Sequence, residues 1–90
     1  MNTQSLECRK VKPGEIEKEG DFCFDEEFEH IYIWMPAHMG PSAIRIKKGE
    51  AGGNRVWGWD GNEEKPTLTP SLLNGELWHG HLQAGKLVSC

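Results

Sequence analysis

The sequence lacks a hydrophobic segment that could cross a membrane. Its longest apolar run, Ile31 to Ala37, is far shorter than the ~20 residues of a membrane-spanning helix. The first five residues contain neither a basic region nor an apolar stretch, so no secretory signal is expected. Only three cysteines are present, and without an export signal an odd number favours a reducing compartment over a disulfide framework. These absences predict a cytoplasmic protein.

The chain is also too short for two independent cores. At 90 residues it is expected to form one small domain with a thin core. Four Trp, three Phe and one Tyr supply enough large apolar groups for collapse, although only 37% of residues are hydrophobic. Gly and Pro together account for 16 of the 90 residues, which favours turns and short strands over long helices.

Positive charge is scarce, particularly at the start of the chain. Residues 1–29 contain nine acids and four bases, whereas residues 30–90 contain five acids and six bases. We interpret residues 1–29 as an acidic segment that packs on or flanks a β-rich core domain formed by residues 30–90. The favoured interpretation of this negative charge is a solvated face. Two more specific alternatives are a surface that binds a basic protein partner and a mimic of DNA. The net charge of −4 argues against a nucleic-acid-coating protein.

Alternation of apolar and polar residues predicts a mainly β fold, a small antiparallel sandwich or partly open barrel with long loops. His30–Met35 is apolar on both faces, so it should be a central strand. The indole side chains of Trp57 and Trp59 could stack on nucleic-acid bases, but in so small a domain we expect them to pack in the core instead. Other strands are expected over 6–12, 21–24, 43–47, 55–59, 77–82 and 86–90, with an extended segment over 67–69 and a helical turn over 26–29. The expected core comprises Ile31, Ile33, Trp34, Ile46, Trp57, Trp59, Leu68, Trp78 and Leu87.

The last residues predict a hairpin with two alternative registers. A two-residue turn at Ala84-Gly85 would pair Cys90 with His79, whereas a bulge at Gly85 would pair Cys90 with Trp78. Alanine disfavours the left-handed conformation that the two-residue turn requires, so turn chemistry favours the bulge.

Four residues form a candidate metal site. His79 and His81 are two apart on a strand and therefore point to one face, and the hairpin brings Cys90 close to His79 in either register. His38, in the loop after the central strand, could add a further ligand. Imidazole nitrogen and thiolate are ligands that zinc prefers, so His38, His79, His81 and Cys90 predict a zinc site, without the support of a Cys-x-x-Cys knuckle.

A nucleophilic role is the less favoured interpretation of the same region. Cys90 could be activated by His79 or His81, but a chain-terminal carboxylate would raise the pKa of its thiol. Thr67, Thr69 and Ser71 have no evident base partner, and we interpret them as hydrogen-bonding groups of an extended segment.

Three motifs resemble a family of small phage and prophage proteins, some of which carry the label "ammonia monooxygenase". They are Trp57-Gly-Trp-Asp-Gly-Asn62, Pro66-Thr-Leu-Thr-Pro-Ser71 and Trp78-His-Gly80 with a closing Cys90. The resemblance covers residues 30–90 and implies a zinc site drawn from two loops and the hairpin. In its pattern His38, His79 and Cys90 match ligand positions, whereas Met35 and Trp78 replace cysteines, which leaves His81 as a substitute fourth ligand.

Together, these observations predict a non-catalytic phage-type accessory protein that acts by binding another protein in the bacterial cytoplasm. No membrane or nucleic-acid partner is expected, and the sequence favours a binding role over an enzymatic one. The first alternative is a small protein with a structural zinc ion. The second is a metal-dependent hydrolase-like enzyme that uses the same residues and a metal-bound water.

Overall fold

The computed structural model describes residues 5–36, 39–49, 56–69, 72–74 and 78–89. Over these ranges all regular structure is β-strand, as the composition predicts. None of the described segments forms a helix long and apolar enough to cross a membrane.

The described part of the chain contains ten short strands. They are β1 (Ser5–Glu7), β2 (Arg9–Lys10), β3 (Asp21–Phe24), β4 (His30–Ile33), β5 (Ser42–Lys48), β6 (Trp57–Trp59), β7 (Leu68–Thr69), β8 (Leu72–Asn74), β9 (Trp78–Gln83) and β10 (Lys86–Ser89).

The strands form two sheets. One has four strands in the order β1-β10-β9-β8, and the other has six in the order β2-β3-β4-β5-β6-β7. The chain passes from one sheet to the other at Cys8, between β1 and β2. Six of the eight described pairings are antiparallel; β2–β3 and β5–β6 are parallel. The prediction of a mainly β, mostly antiparallel single domain is confirmed. Three strands, β1 to β3, come from residues before position 30. The predicted division into an acidic segment (residues 1–29) and a core domain (residues 30–90) stays a prediction.

One hydrophobic core lies between the two sheets. β4 lies centrally in the six-stranded sheet, as its apolar faces predict. Burial of each large apolar side chain contributes about 1.5–3 kcal/mol to the free energy of folding. Of the predicted core, Trp57 is half-buried against the cluster, Trp34 is half-buried outside it, and the side chain of Trp78 is not described. The buried cluster comprises Phe22, Phe24, Ile31, Ile33, Met35, Ile44, Ile46, Trp59, Leu68, Leu72, Leu82 and Leu87.

A buried carboxylate joins the start of the six-stranded sheet to the preceding loop. Asp21 is 0% exposed and accepts two hydrogen bonds from the Arg9 guanidinium, at 3.0 and 2.8 Å. It also accepts the backbone amides of Glu17 (2.9 Å) and Lys18 (3.3 Å). The hydrogen bond from Arg9 is the main cause that lowers the pKa of Asp21, against the opposing effect of burial. Asp21 therefore stays ionised and holds β2 beside β3.

The segment before β4 is a turn, not the helical turn predicted over 26–29. Phe28 has a φ of 55°, a left-handed conformation that is unusual for an aromatic residue. The Asp25 carboxylate stabilises the turn by accepting the backbone amides of Glu29 (2.8 Å) and His30 (3.1 Å). Side-chain hydrogen bonds of this kind compete with helix formation, which explains the difference.

The final hairpin adopts the register that turn chemistry disfavoured. Lys86 lies opposite Gln83, so the loop has two residues, and both Ala84 (φ 48°) and Gly85 (φ 78°) are left-handed. The preference for a bulge at Gly85 was therefore wrong. A register shift by one residue would move Leu87 from the core face to the outer face, and this cost outweighs the ~1–2 kcal/mol strain at one alanine.

Contacts from the preceding segment hold this turn in place. The Ala84 amide donates to the Thr67 hydroxyl oxygen (2.8 Å), and the Gly85 amide donates to the Pro66 carbonyl (3.0 Å). A Cβ atom added at Gly85 would lie 3.0 Å from Cα of Lys65. The turn therefore packs directly on the chain that precedes β7.

We expect Gly85→Ala to destabilise the protein more than Gly14→Ala. Both glycines have positive φ, 78° and 87°, so both variants pay about 1 kcal/mol of backbone strain. A Cβ at Gly14 meets nothing within 4 Å, whereas at Gly85 it crowds the Lys65 backbone, which should add about 1–2 kcal/mol. Urea unfolding measures both; equal losses would contradict the described packing of the turn.

We expect Asp21→Asn to lower the free energy of unfolding by about 2 kcal/mol at neutral pH. Removing one partner of a buried ion pair costs about 3–5 kcal/mol. The cost is smaller here because the Arg9 side chain is 53% exposed, so its guanidinium is hydrated once the carboxylate is gone. Because the folded-state pKa of Asp21 is lowered, its contribution is present above the ordinary carboxyl pKa and is lost as pH falls through the folded value.

The parent should therefore lose more stability on acidification than Asp21→Asn does. Glu15→Gln, at an exposed position, is the control and should leave the pH dependence nearly unchanged. Urea titrations at several pH values give both slopes, and parallel slopes for parent and Asp21→Asn would contradict the role of the ionised carboxylate.

Candidate functional site

Two histidines lie on the outer face of β9. Along this strand Gly80 and Leu82 are buried, whereas His79 is exposed and His81 is half-buried. Side chains two apart on a strand share a face, with Cα atoms about 7 Å apart. The prediction that both imidazoles share one face is confirmed, and they form the candidate site.

β9 is an inner strand of its sheet, so its neighbours shape the site. His81 lies opposite Val88 of β10, and His79 lies opposite Leu73 of β8. Both neighbouring strands run antiparallel to β9, so their backbones are hydrogen-bonded to it on both sides. The two imidazoles therefore project from a rigid strand rather than from a loop.

The other two predicted zinc ligands, His38 and Cys90, lie outside the described residues. In the part of the chain that the structure describes, no group of three or more His, Cys, Asp or Glu side chains could hold a metal ion. The described half of the set, His79 and His81, offers two imidazoles on one face. The zinc site and its four ligands stay a prediction.

Serine hydroxyls become nucleophiles when a base lies within hydrogen-bond reach, and three of the four serines are described. Ser89 lies opposite Gly80, so its side chain points to the inner face, away from His81. Ser5 lies two strands from His81, about 10 Å away. Ser42 lies opposite Ile33 in the other sheet. The fourth serine, Ser71, lies outside the described residues.

The hydroxyl of Thr67 has a structural role. Its oxygen accepts the amide of Ala84 at 2.8 Å and so fixes the hairpin turn. The prediction that Thr67 hydrogen-bonds within an extended segment is confirmed. Such a bonded hydroxyl is not a candidate nucleophile, because no base among the described side chains contacts it.

Neither described cysteine is activated. Burial is the main cause that raises the pKa of the Cys8 thiol to about 12. Burial also raises the pKa of the Cys23 thiol. Thiolate, not thiol, is the nucleophile, so both side chains are inert at neutral pH. Cys90, the predicted nucleophilic cysteine, lies outside the described residues.

A histidine–carboxylate pair lies on the six-stranded sheet and was not predicted. The His30 Nδ1 atom lies 3.1 Å from Asp25 Oδ2. Burial raises the pKa of Asp25, but hydrogen bonds from the His30 ring and the two backbone amides outweigh it and lower the pKa overall. The His30 ring stacks on Tyr32, with centroids 6.3 Å apart.

This pair resembles the orienting half of a catalytic triad. When Nδ1 carries the proton and donates to Asp25, Nε2 of His30 is left as an acceptor. No serine or threonine hydroxyl among the described residues contacts this ring, and a base needs such a partner to act on. The pair depends on the left-handed turn at Phe28, which sequence patterns do not reveal; the spacing of Asp25 and His30 across a polar turn is the one available signal.

Comparisons with known proteins identify a family. A family model described as "Bacterial ubiquitination-like system serine protease (BubE)" matches residues 8–90, which is 83 of the 90 residues. No curated protein and no solved structure matches the chain. The match does not test the resemblance to phage proteins, which stays a prediction.

The match overturns two expectations. A family described as a serine protease is a family of enzymes, so the prediction of a non-catalytic accessory protein and the preference for a non-enzymatic role were both wrong. The physical reason is that a serine and its base are brought together by the fold, so no local sequence motif links a nucleophile to its base. Since the model covers nearly the whole chain, this protein belongs to the BubE family of bacterial ubiquitination-like systems.

Proposed function

We propose that this chain is a serine protease of a bacterial ubiquitination-like system, with Ser71 as nucleophile and His81 as general base. The observation that carries the proposal is the family match over residues 8–90. The residue roles are supported by the register of the four-stranded sheet and by the positions of the remaining serines.

The described serines leave one candidate nucleophile. Ser89 points to the inner face, Ser5 lies about 10 Å from His81, and Ser42 belongs to the core-facing side of the other sheet. Ser71 directly precedes Leu72, the first residue of β8. Leu72 lies opposite Gly80, between the two histidines.

The direction of pairing favours His81 over His79 as the base. β8 and β9 are antiparallel, with Leu72 opposite Gly80 and Leu73 opposite His79. One step back along the chain from Leu72 leads to Ser71, and the matching step from Gly80 leads to His81. Of the two imidazoles, His81 therefore adjoins the same pair, Leu72 and Gly80, that Ser71 adjoins in the sequence, and this is why we propose His81 as the base.

This pair would perform acyl transfer by ordinary serine chemistry. The Ser71 oxygen bonds to the carbonyl carbon of the scissile amide while His81 takes the hydroxyl proton. The carbon–nitrogen bond then breaks, and the amine leaves with the proton from His81. A water molecule then attacks the resulting ester while His81 takes its proton. The acid is released, and His81 gives the proton back to the serine oxygen.

We expect Ser71→Ala to abolish covalent labelling by a fluorophosphonate probe, because the probe bonds only to an activated serine. Ser89→Ala and Ser5→Ala are matched controls and should label like the parent. Intact-mass spectrometry reports the adduct, and peptide mapping locates it. Labelling of Ser71→Ala at the parent rate, or an adduct on another serine, would refute the assignment of the nucleophile.

We expect His81→Ala to slow labelling by roughly 10²- to 10⁴-fold, the usual contribution of a positioned general base. His30→Ala removes the other oriented imidazole and should label at nearly the parent rate; His79→Ala should have a smaller effect than His81→Ala. Circular dichroism checks that the variants fold. If His30→Ala abolished labelling and His81→Ala did not, the Asp25–His30 pair would be the base instead.

A further inference from the structure

A groove with a basic rim lies on the six-stranded sheet, away from β9. Its volume is about 410 Å³, and it is lined by three cations (Arg45, Lys47 and Lys48), three apolar side chains (Phe28, Ile46 and Val56) and one acid (Glu29). We call it the basic groove. The chain as a whole has a net charge of −4, yet three of its ten Lys and Arg residues line this one groove.

The apolar wall of the basic groove is built at a conformational cost. Phe28 is 37% exposed and left-handed, with φ 55°. Its ring stacks on Trp59, with centroids 5.6 Å apart and an interplanar angle of 8°. Asp25 holds this turn through the amides of Glu29 and His30. Residues held in sparsely populated backbone conformations cluster at functional sites, including ligand-binding surfaces.

Two of the cations, Arg45 and Lys48, carry a charge that no described acid neutralises. The Lys48 stem lies against Gly61, where an added Cβ would come within 2.6 Å of Lys48 Cε. Arg45 lies opposite His30 on the outer face of the sheet. Unpaired cations beside an exposed ring attract a partner that is both anionic and apolar.

We propose that the basic groove binds an acidic, extended segment of the protein substrate that carries an aromatic side chain among its carboxylates. The carboxylates would meet Arg45 and Lys48, and the aromatic side chain would pack on Phe28. The proposal that this segment belongs to the substrate rests on the proposed function. A polypeptide fits better than a nucleic acid, because Glu29 lies in the groove and nucleic-acid binders rely on many phosphate contacts.

The test is peptide binding to the full chain carrying Ser71→Ala, which removes cleavage. The probe is a fluorescein-labelled heptapeptide of alternating Glu and Asp with a central Phe, measured by fluorescence anisotropy. We expect Arg45→Ala and Lys48→Ala to raise its Kd about three- to fivefold each, and both together about tenfold at low salt. Replacement of the central Phe by Ser should also weaken binding.

Lys12→Ala combined with Lys18→Ala is the matched control, since it changes net charge by the same amount at exposed positions outside the groove. Equal weakening in the control and in the groove variant, or tighter groove-dependent binding of an oligothymidine of the same charge, would overturn the proposal. Binding is measured without cleavage, so it is independent of whether fluorophosphonate labels Ser71. In the active chain, the groove variant should raise KM for a protein substrate and leave kcat unchanged.

Discussion

The buried carboxylate of Asp21 is the constraint on which the arrangement of the two sheets depends. Residues 5–10 enter the four-stranded sheet as β1 and the six-stranded sheet as β2, with the crossing at Cys8. Two hydrogen bonds from Arg9 to Asp21 secure the second half of this crossing, and the Cys8 amide donates to the Gly85 carbonyl at 2.9 Å. A fully buried charge is costly unless it is paired and hydrogen-bonded, so the Arg9–Asp21 pair favours the one arrangement of β2 and β3 in which these bonds form.

The hairpin turn transmits that constraint to the candidate active site. The amides of Ala84 and Gly85 are fixed by Thr67 and Pro66, which sets the register of β9 against β10. The register places Leu82 and Leu87 in the core and leaves His81 on the outer face. The tight packing of Gly85 on Lys65 therefore has a functional consequence, because a slip by one residue would bury the imidazoles.

The two sheets present different chemistry. The four-stranded sheet carries the paired histidines beside the strand that follows Ser71, whereas the six-stranded sheet carries the basic groove. Under the functions proposed above, reaction and recognition lie on different sheets, so the enzyme would gain specificity from contacts remote from the scissile bond. The acidic N-terminal third, interpreted from the sequence as a solvated face, also contributes three strands to this framework, so part of its charge has a structural role, as at Asp21.

Local patterns in the sequence determined the strands and their faces. Alternation alone places Ile31 and Ile33 in the core and both His79 and His81 on one outer face, because side chains on a strand alternate whatever its neighbours are. The tertiary structure decided what depends on distant residues: the left-handed turns at Phe28 and Ala84, the Asp25–His30 pair and the basic groove. Local propensity opposed both turns. Hydrogen bonds from backbone amides to Asp25 and Thr67, together with burial of Leu87, outweighed that propensity, and such a balance exists only once the sheets are assembled.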